Sequence, residues 1–242
     1  MNKADVNPPY DIFSVTVKKA ILITPFLKRI SVDAREVSGL RPDLPGQYLK
    51  VFVRDADGFR QPGRAYTVRR FNPGTGELEL DFVLHGDEGN ISRWASRAEI
   101  GDKLEISRPN TRSGISIDPE IRNYFLFADE TGLPAVAAIV EALPAAVEAR
   151  VFIEIANAKE MQPVKGEAAI SVRWLCRELG ERLVDAAKDL SIPSGSLVWV
   201  TAESGQVSAI RTGLKKQKSL GTCAVHASGY WKKGVADHRD PD

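Results

Sequence analysis

The stretch NYFLFADETGLPAVAAIVEAL, residues 123–143, changes its period halfway along. YFLFA is a short unbroken apolar run of the kind that becomes a buried strand, whereas PAVAAIVEAL has the length and spacing of a helix, opened by Pro134 where proline is tolerated. The loop between them is therefore aimed at the carboxyl edge of a sheet, where open α/β folds bind ligands. Downstream, ARVFIEIA, AISVRWL, GERLVDAAKDL, SLVWVTA, QVSAIRTGLKKQ and TCAVHAS keep alternating strand-like with helix-like segments. That alternation predicts a parallel sheet covered by helices.

Upstream the rhythm differs. From Phe13 to about Pro109 the runs VTVKKAILI, KRISVDA, QYLKVFVR, RAYTVRRF, ELELDFVL and KLEIS are short and β-rich, and PGTG at 73–76 reads as a turn between paired strands. An antiparallel barrel or sandwich is expected there. PNTRSGISIDPE has the composition of a connector, which sets domain bounds of 1–115 and 120–242. A crevice between two such domains is a place for a cofactor and a substrate to meet.

Lys plus Arg total 33 against 32 for Asp plus Glu, a near-balance that argues against bulk nucleic-acid binding or stable association with a membrane. Cys176 and Cys223 form neither a metal motif nor a disulfide framework and are expected as buried thiols. His85, His226 and His238 lack metal-ligand spacing. MNKADVNPPYDIFSV has no secretory apolar core, and with no run long enough to span a bilayer a cytoplasmic protein is expected.

Two stretches carry chemistry. In RAYTVRR, residues 64–70, strand alternation sends Arg64, Tyr66, Val68 and Arg70 to one face and Ala65, Thr67 and Arg69 to the other. A guanidinium fork suits phosphate, a ring suits a flat heteroaromatic, and a threonine hydroxyl suits a ring heteroatom. From these residues alone, an exposed strand with a cross-strand ion pair is an equal alternative. In ELELDFVLH, Leu78, Leu80, Phe82 and Leu84 alternate with Glu77, Glu79, Asp81, Val83 and His85, and GDEGNISRWASRA then opens a helix near Ser92. Such a start offers free N–H groups to an anion, although Asn90 could simply cap it.

RAYTVR at 64–69, LDFVLHGDEGNISRWA at 80–95, GDKLEISRP after it, ADETGLPAVAAIVEALP at 128–144, VWVTAE at 198–203 and SGYWKKG at 228–234 together resemble the siderophore-interacting protein family. Those proteins are FAD-dependent ferric-siderophore reductases of the ferredoxin reductase superfamily. The resemblance implies an antiparallel FAD-binding barrel followed by a parallel-sheet, nucleotide-binding-like domain. It puts Arg64 on the cofactor diphosphate, with Arg69 either helping there or bracing the strand, Tyr66 on the isoalloxazine and Thr67 toward its reactive edge. Asp81, Phe82, Val83 and His85 would line the cofactor, with Ser92 and the backbone around Ile91 holding phosphate. Asn90 and Ile91 stand where the family commonly has Pro-Ala, so the detail of phosphate contact is open. Asp129, Glu130 and Thr131 would face the flavin and the nicotinamide side with Glu203 nearby, and Tyr230 and Trp231 would pack on the flavin or a domain interface.

The resemblance also places Lys50, Lys232 and Lys233 around the pocket for an anionic ferric siderophore. The electron donor would be NADPH or NADH, with Lys159, Arg211, Lys215 and Lys216 as candidates for a 2′-phosphate, or ferredoxin in some relatives. GxGxxG is absent. The alternatives are a flavin or ferredoxin-type electron-transfer reductase and a non-enzymatic siderophore-binding protein, the latter leaving Arg64, Tyr66 and Thr67 without a task.

Overall fold

The structure, a computed structural model, describes residues 10–84, 89–188, 190–216 and 223–235. The chain divides into two compact units, Met1–Ile115 and Ser116–Asp242.

In the first unit β1 (Ile12–Thr24), β2 (Leu27–Asp33), β3 (Tyr48–Phe52), β4 (Arg64–Asn72), β5 (Glu77–Val83) and β6 (Lys103–Ser107) form a closed barrel in the order β1-β2-β5-β4-β3-β6. All its pairings are antiparallel. Alternation decides the inside: Leu78, Leu80 and Phe82 of β5 are fully buried with Ile30, Val32, Leu49, Val51 and Ile106. Each such side chain contributes roughly 1.5–3 kcal/mol by leaving water. The 73–76 turn forms as expected, with Asn72 Oδ1 accepting from the Gly74 and Thr75 amides and Gly76 at φ +68°. A helix, α1 (Asn90–Arg97), follows β5 and buries Ile91, Ser92 and Ala95.

One expectation on β4 needs correcting. The register shifts between Val68 and Arg70, so Arg69 sits in a bulge and the inward set becomes Val68 then Phe71, paired with Leu80 and Leu78. The extra residue breaks the alternation. Arg70 is thereby turned outward, exposed, instead of sharing a face with Tyr66.

In the second unit β7 (Asn123–Asp129), β8 (Glu148–Ile155), β9 (Ala169–Cys176), β10 (Leu197–Glu203) and β11 (Ala224–Trp231) make a parallel sheet in the order β11-β10-β7-β8-β9. The described helices are α2 (Leu133–Ala142), α3 (Leu183–Lys188) and α4 (Ser204–Leu214). The chain runs outward from β7 through β8 to β9, then returns to the other side of β7 for β10, which makes the β7–β10 pair the topological switch point. Gly132, at the start of α2, is required there: a Cβ would lie 2.3 Å from the Thr201 carbonyl oxygen.

Three smaller expectations are corrected. The last strand does not stop at TCAVHAS but runs on through Trp231 beside β10, with a register shift between Ala202 and Glu203. Cys223 is half-exposed, its thiol 3.3 Å from the Pro193 carbonyl, while Cys176 is buried. The presumed connector folds back on β3: Asn110 N donates to Tyr48 O, Tyr48 N to Ser113 Oγ and Ile115 N to Pro45 O. No helix among the described residues is long and apolar enough to cross a membrane.

Candidate functional site

In the barrel unit, pairing of β3 with β4 sets Tyr48 against Thr67, Leu49 against Tyr66, Lys50 against Ala65 and Val51 against Arg64. Arg64, Tyr66, Thr67 and Lys50 thus lie on two adjacent strands, Lys50 and Thr67 on one face with Tyr48, and Arg64 and Tyr66 on the other with Val51 and Leu49. Tyr66 rests on the buried Phe82 with ring centroids 4.4 Å apart and Trp94 lies beyond it, 6.0 Å from Phe82. Burial pushes the Tyr66 phenol up, against the opposing pull of the Arg64 charge, so it stays a neutral hydroxyl. Thr67 is nearly buried and Arg64 half-buried.

A cleft of about 340 Å³ opens beside these strands, walled by Tyr10, Tyr48, Lys50, Arg108, Asn110 and Thr111 among others. Its floor is built: Asn110 Nδ2 donates to the Tyr48 hydroxyl at 2.5 Å, Lys50 N to Ser107 Oγ at 2.9 Å, and the Lys50 ammonium lies 5.7 Å from the Tyr48 ring centroid. Arg108 is held by Asp11 at 2.5 Å and by the Ser38 carbonyl at 3.0 Å. Tyr48, Arg108 and Asn110 were not among the expected site residues. Arg108 and Asn110 lie at the edge of a segment whose Pro, Asn and Gly content reads as linker, and only its return to β3 makes it a wall.

The remaining barrel candidates separate by burial. Asp81 receives a two-point contact from Arg29, at 2.7 and 2.8 Å, and lies 4.0 Å from the nearly buried Arg69. This pair braces β2, β4 and β5, with the Arg69 bulge folded onto it. Phe82 and Ile91 belong to the core, so any ligand contact they make is through backbone. Val83 is half-buried, its carbonyl accepting from Ser92 Oγ at 3.5 Å. The N-cap of α1 is Gly89, not Asn90; Asn90 instead donates to Gln61 Oε1 at 3.0 Å. Gly89 itself brings no side-chain acceptor to that cap. These residues fit a dinucleotide: a guanidinium, a supported ring, a short hydroxyl and the start of a helix. His85 lies outside the described residues.

The second unit has a different character. Asp129, at the end of β7 and 1 % exposed, accepts five hydrogen bonds: Thr131 N at 2.9 Å, Thr131 Oγ1 at 2.6 Å and Gly132 N at 3.3 Å on Oδ1, with Glu203 N at 3.0 Å and Trp231 Nε1 at 2.7 Å on Oδ2. Burial pushes its carboxyl up while the Thr131 and Trp231 hydrogen bonds pull it down. Glu130 accepts both Arg177 guanidinium nitrogens and the Ala156 amide. Arg177 also lies 3.5 Å from Glu154, which is buried and holds the Leu183 amide at 2.7 Å. Glu203 caps α4 through the Gln206 amide at 3.1 Å and takes the Lys233 amide at 3.3 Å. The amides of Thr131 and Gly132, in the loop just before α2, are therefore already in the hands of the protein's own carboxylate. Trp231 is partly exposed, and Lys232 and Lys233 stand exposed on the turn after it.

Comparison with known proteins agrees with this arrangement. Residues 55–113 match the siderophore-interacting FAD-binding domain and residues 121–234 the siderophore-interacting protein model. The ferric vibriobactin reductase ViuB of Vibrio cholerae is 26 % identical, over 86 % of this chain and 84 % of its own. A siderophore utilization protein from T. fusca superposes with a TM-score of 0.82 at 29 % identity, covering 96 % of both chains. The siderophore-interacting protein SipS from Aeromonas hydrophila gives 0.78 at 26 % identity, covering 95 % of both. With both parts of the fold matched in order, and the motifs lying on the strands and helix starts described above, the chain belongs to the siderophore-interacting protein family.

Proposed function

We propose that this protein is an FAD-dependent ferric-siderophore reductase, acting in the cytoplasm to free iron from its chelator. The observation that carries this is the β3–β4 pair, which sets the cleft cation Lys50 on one face with Thr67 and places Arg64 and Tyr66 on the other face of the same two strands. The domain reading follows: 1–115 for FAD, 120–242 for the donor and the C-terminal substrate-contacting turn.

Bound FAD supplies the conversion of a two-electron donation into single electrons, so one hydride equivalent reduces two ferric ions. The protein's part is binding and electrostatics. Arg64 and the first turn of α1 neutralise the diphosphate, Tyr66 on its Phe82 support presents a ring face, and Thr67 offers a hydroxyl to the ring edge. The substrate is an anionic ferric chelate, met by Lys50 and by Lys232 and Lys233 as cations that ligate no metal. The donor is a nicotinamide nucleotide, NADPH or NADH. Reduced ferredoxin is the second reading, favoured by Asp129, whose carboxylate, holding the Thr131 and Gly132 amides, stands before the start of α2 where a nucleotide diphosphate would otherwise bind.

The test is anaerobic spectroscopy of the purified protein. A flavin band bleached by NADPH, NADH or reduced ferredoxin, and restored by a ferric catecholate with ferrous iron trapped, is the expected result. A protein that takes up no FAD yet binds the chelate would be a carrier instead.

A further inference from the structure

The basic turn at the end of β11 is fastened to the sheet in an unusual way. Lys232 to Val235 closes on itself, Val235 N donating to Lys232 O at 3.1 Å with Gly234 at φ +75°. Three hydrogen bonds then hold this turn and the strand end before it: Trp231 Nε1 to Asp129 Oδ2 at 2.7 Å, Ser204 Oγ to Trp231 O at 3.0 Å, and Lys233 N to Glu203 Oε1 at 3.3 Å. Asp129 Oδ2 also takes the Glu203 amide at 3.0 Å, so one oxygen ties together the ends of β10 and β11. Lys232 and Lys233 themselves are exposed and make no ion pair among the described residues.

With five donors on two oxygens, the Asp129 carboxylate has no acceptor capacity left for a ligand. Its chemistry is directed entirely at neighbouring chain. A lysine pair on a fixed support loses less freedom on meeting an anion than one on a loose end.

We propose that Asp129 is a positioning residue for the substrate: by holding the Trp231 indole and the Glu203 amide, it fixes the turn that displays Lys232 and Lys233 to the anionic chelate. This rests on the reading in which those lysines meet the ferric chelate. Asp129→Asn isolates the role, because its remaining oxygen still serves Thr131 and Gly132 while its NH₂ meets two donors, the indole N–H and the Glu203 amide.

The experiment uses the full-length, FAD-loaded protein with two acceptors, iron(III)–2,3-dihydroxybenzoate and the uncharged quinone menadione. D129N is expected to raise KM for the ferric chelate about tenfold more than KM for menadione, a difference of about 1.4 kcal/mol. Amide exchange should speed up across residues 229–235 and stay at the parent rate in α2. If D129N leaves the chelate KM and the exchange of the turn unaltered, or impairs both acceptors equally, the positioning role is overturned. K232A/K233A separates the two ideas: no change in chelate KM there sinks the reading of the lysines, whereas a rise there without one in D129N sinks only the role of Asp129. Should D129N fail to fold, Ser204→Ala removes the hydroxyl bond to Trp231 O. It is expected to raise the chelate KM about threefold, a bond of modest net worth, and an unchanged KM would count against the proposal.

Discussion

In the proposed site Arg64 carries the most weight of any single side chain, because it would hold the diphosphate through a charge-assisted contact worth about 1.5–3 kcal/mol. Arg64→Ala is therefore expected to weaken FAD binding roughly 10- to 100-fold, measured by titrating the quenching of flavin fluorescence. An affinity unchanged within error would move the diphosphate elsewhere. Asp81 shows the opposite case. Its sequence position in LDFVLH resembles a cofactor contact, yet the carboxylate is taken by Arg29 and flanked by Arg69, a partner choice no local pattern reveals because Arg29 lies 52 residues away. Alternation correctly separated the faces of β5 but not the far end of β4, where one bulged residue exchanged the faces of Arg70 and Phe71.

At the scale of elements, two junctions are set by close contact and charge. Where α2 crosses β10, Gly132 has an ordinary φ of −87°, so its need is space and not conformation. Gly132→Ala drives a Cβ to 2.3 Å from the Thr201 carbonyl oxygen, a backbone atom that cannot swing aside. A loss of about 1–3 kcal/mol is expected by denaturant unfolding, the range for overpacked cores. In the barrel, Glu105 of β6 receives Arg60 at 2.5 Å and Arg54 at 2.8 Å. Burial pushes the Glu105 carboxyl up, but the hydrogen bonds and charge of the two arginines together outweigh it and leave the group below its ordinary value. A carboxylate lowered on folding stabilises fully above its unfolded pKa and loses that contribution as pH falls through the lower folded value. Glu105→Gln should therefore flatten the acid limb of a thermal-stability profile below about pH 4.5, the ordinary glutamate value, with little change in slope above it. An acid limb as steep as the parent's would show that the pair contributes nothing.

Across the whole molecule the formal charge is +1, so the proposed attraction of an anionic substrate rests on local cations, for which Lys50, Lys232 and Lys233 are the proposal. Exposed charges are screened over about 8 Å at physiological ionic strength. KM for the ferric chelate is expected to rise several-fold as salt increases from 20 to 300 mM, and Lys50→Ala should make that dependence shallower. A salt-independent KM in the parent protein would remove electrostatic recognition. The amino-acid sequence by itself determined the barrel strands, the switch to a parallel sheet after residue 123 and the residues of the RAYT stretch, because two-residue alternation, helical spacing and turn glycines are local and each is repeated along the chain. Only the tertiary structure decided that the 109–115 segment walls a cleft, that Arg29 holds Asp81, and that Asp129 joins strands whose residues are 74 and 102 positions away. Those are pairings of polar groups forced by burial: a carboxylate removed from water must find donors, and which donors it finds depends on where the sheet brings them.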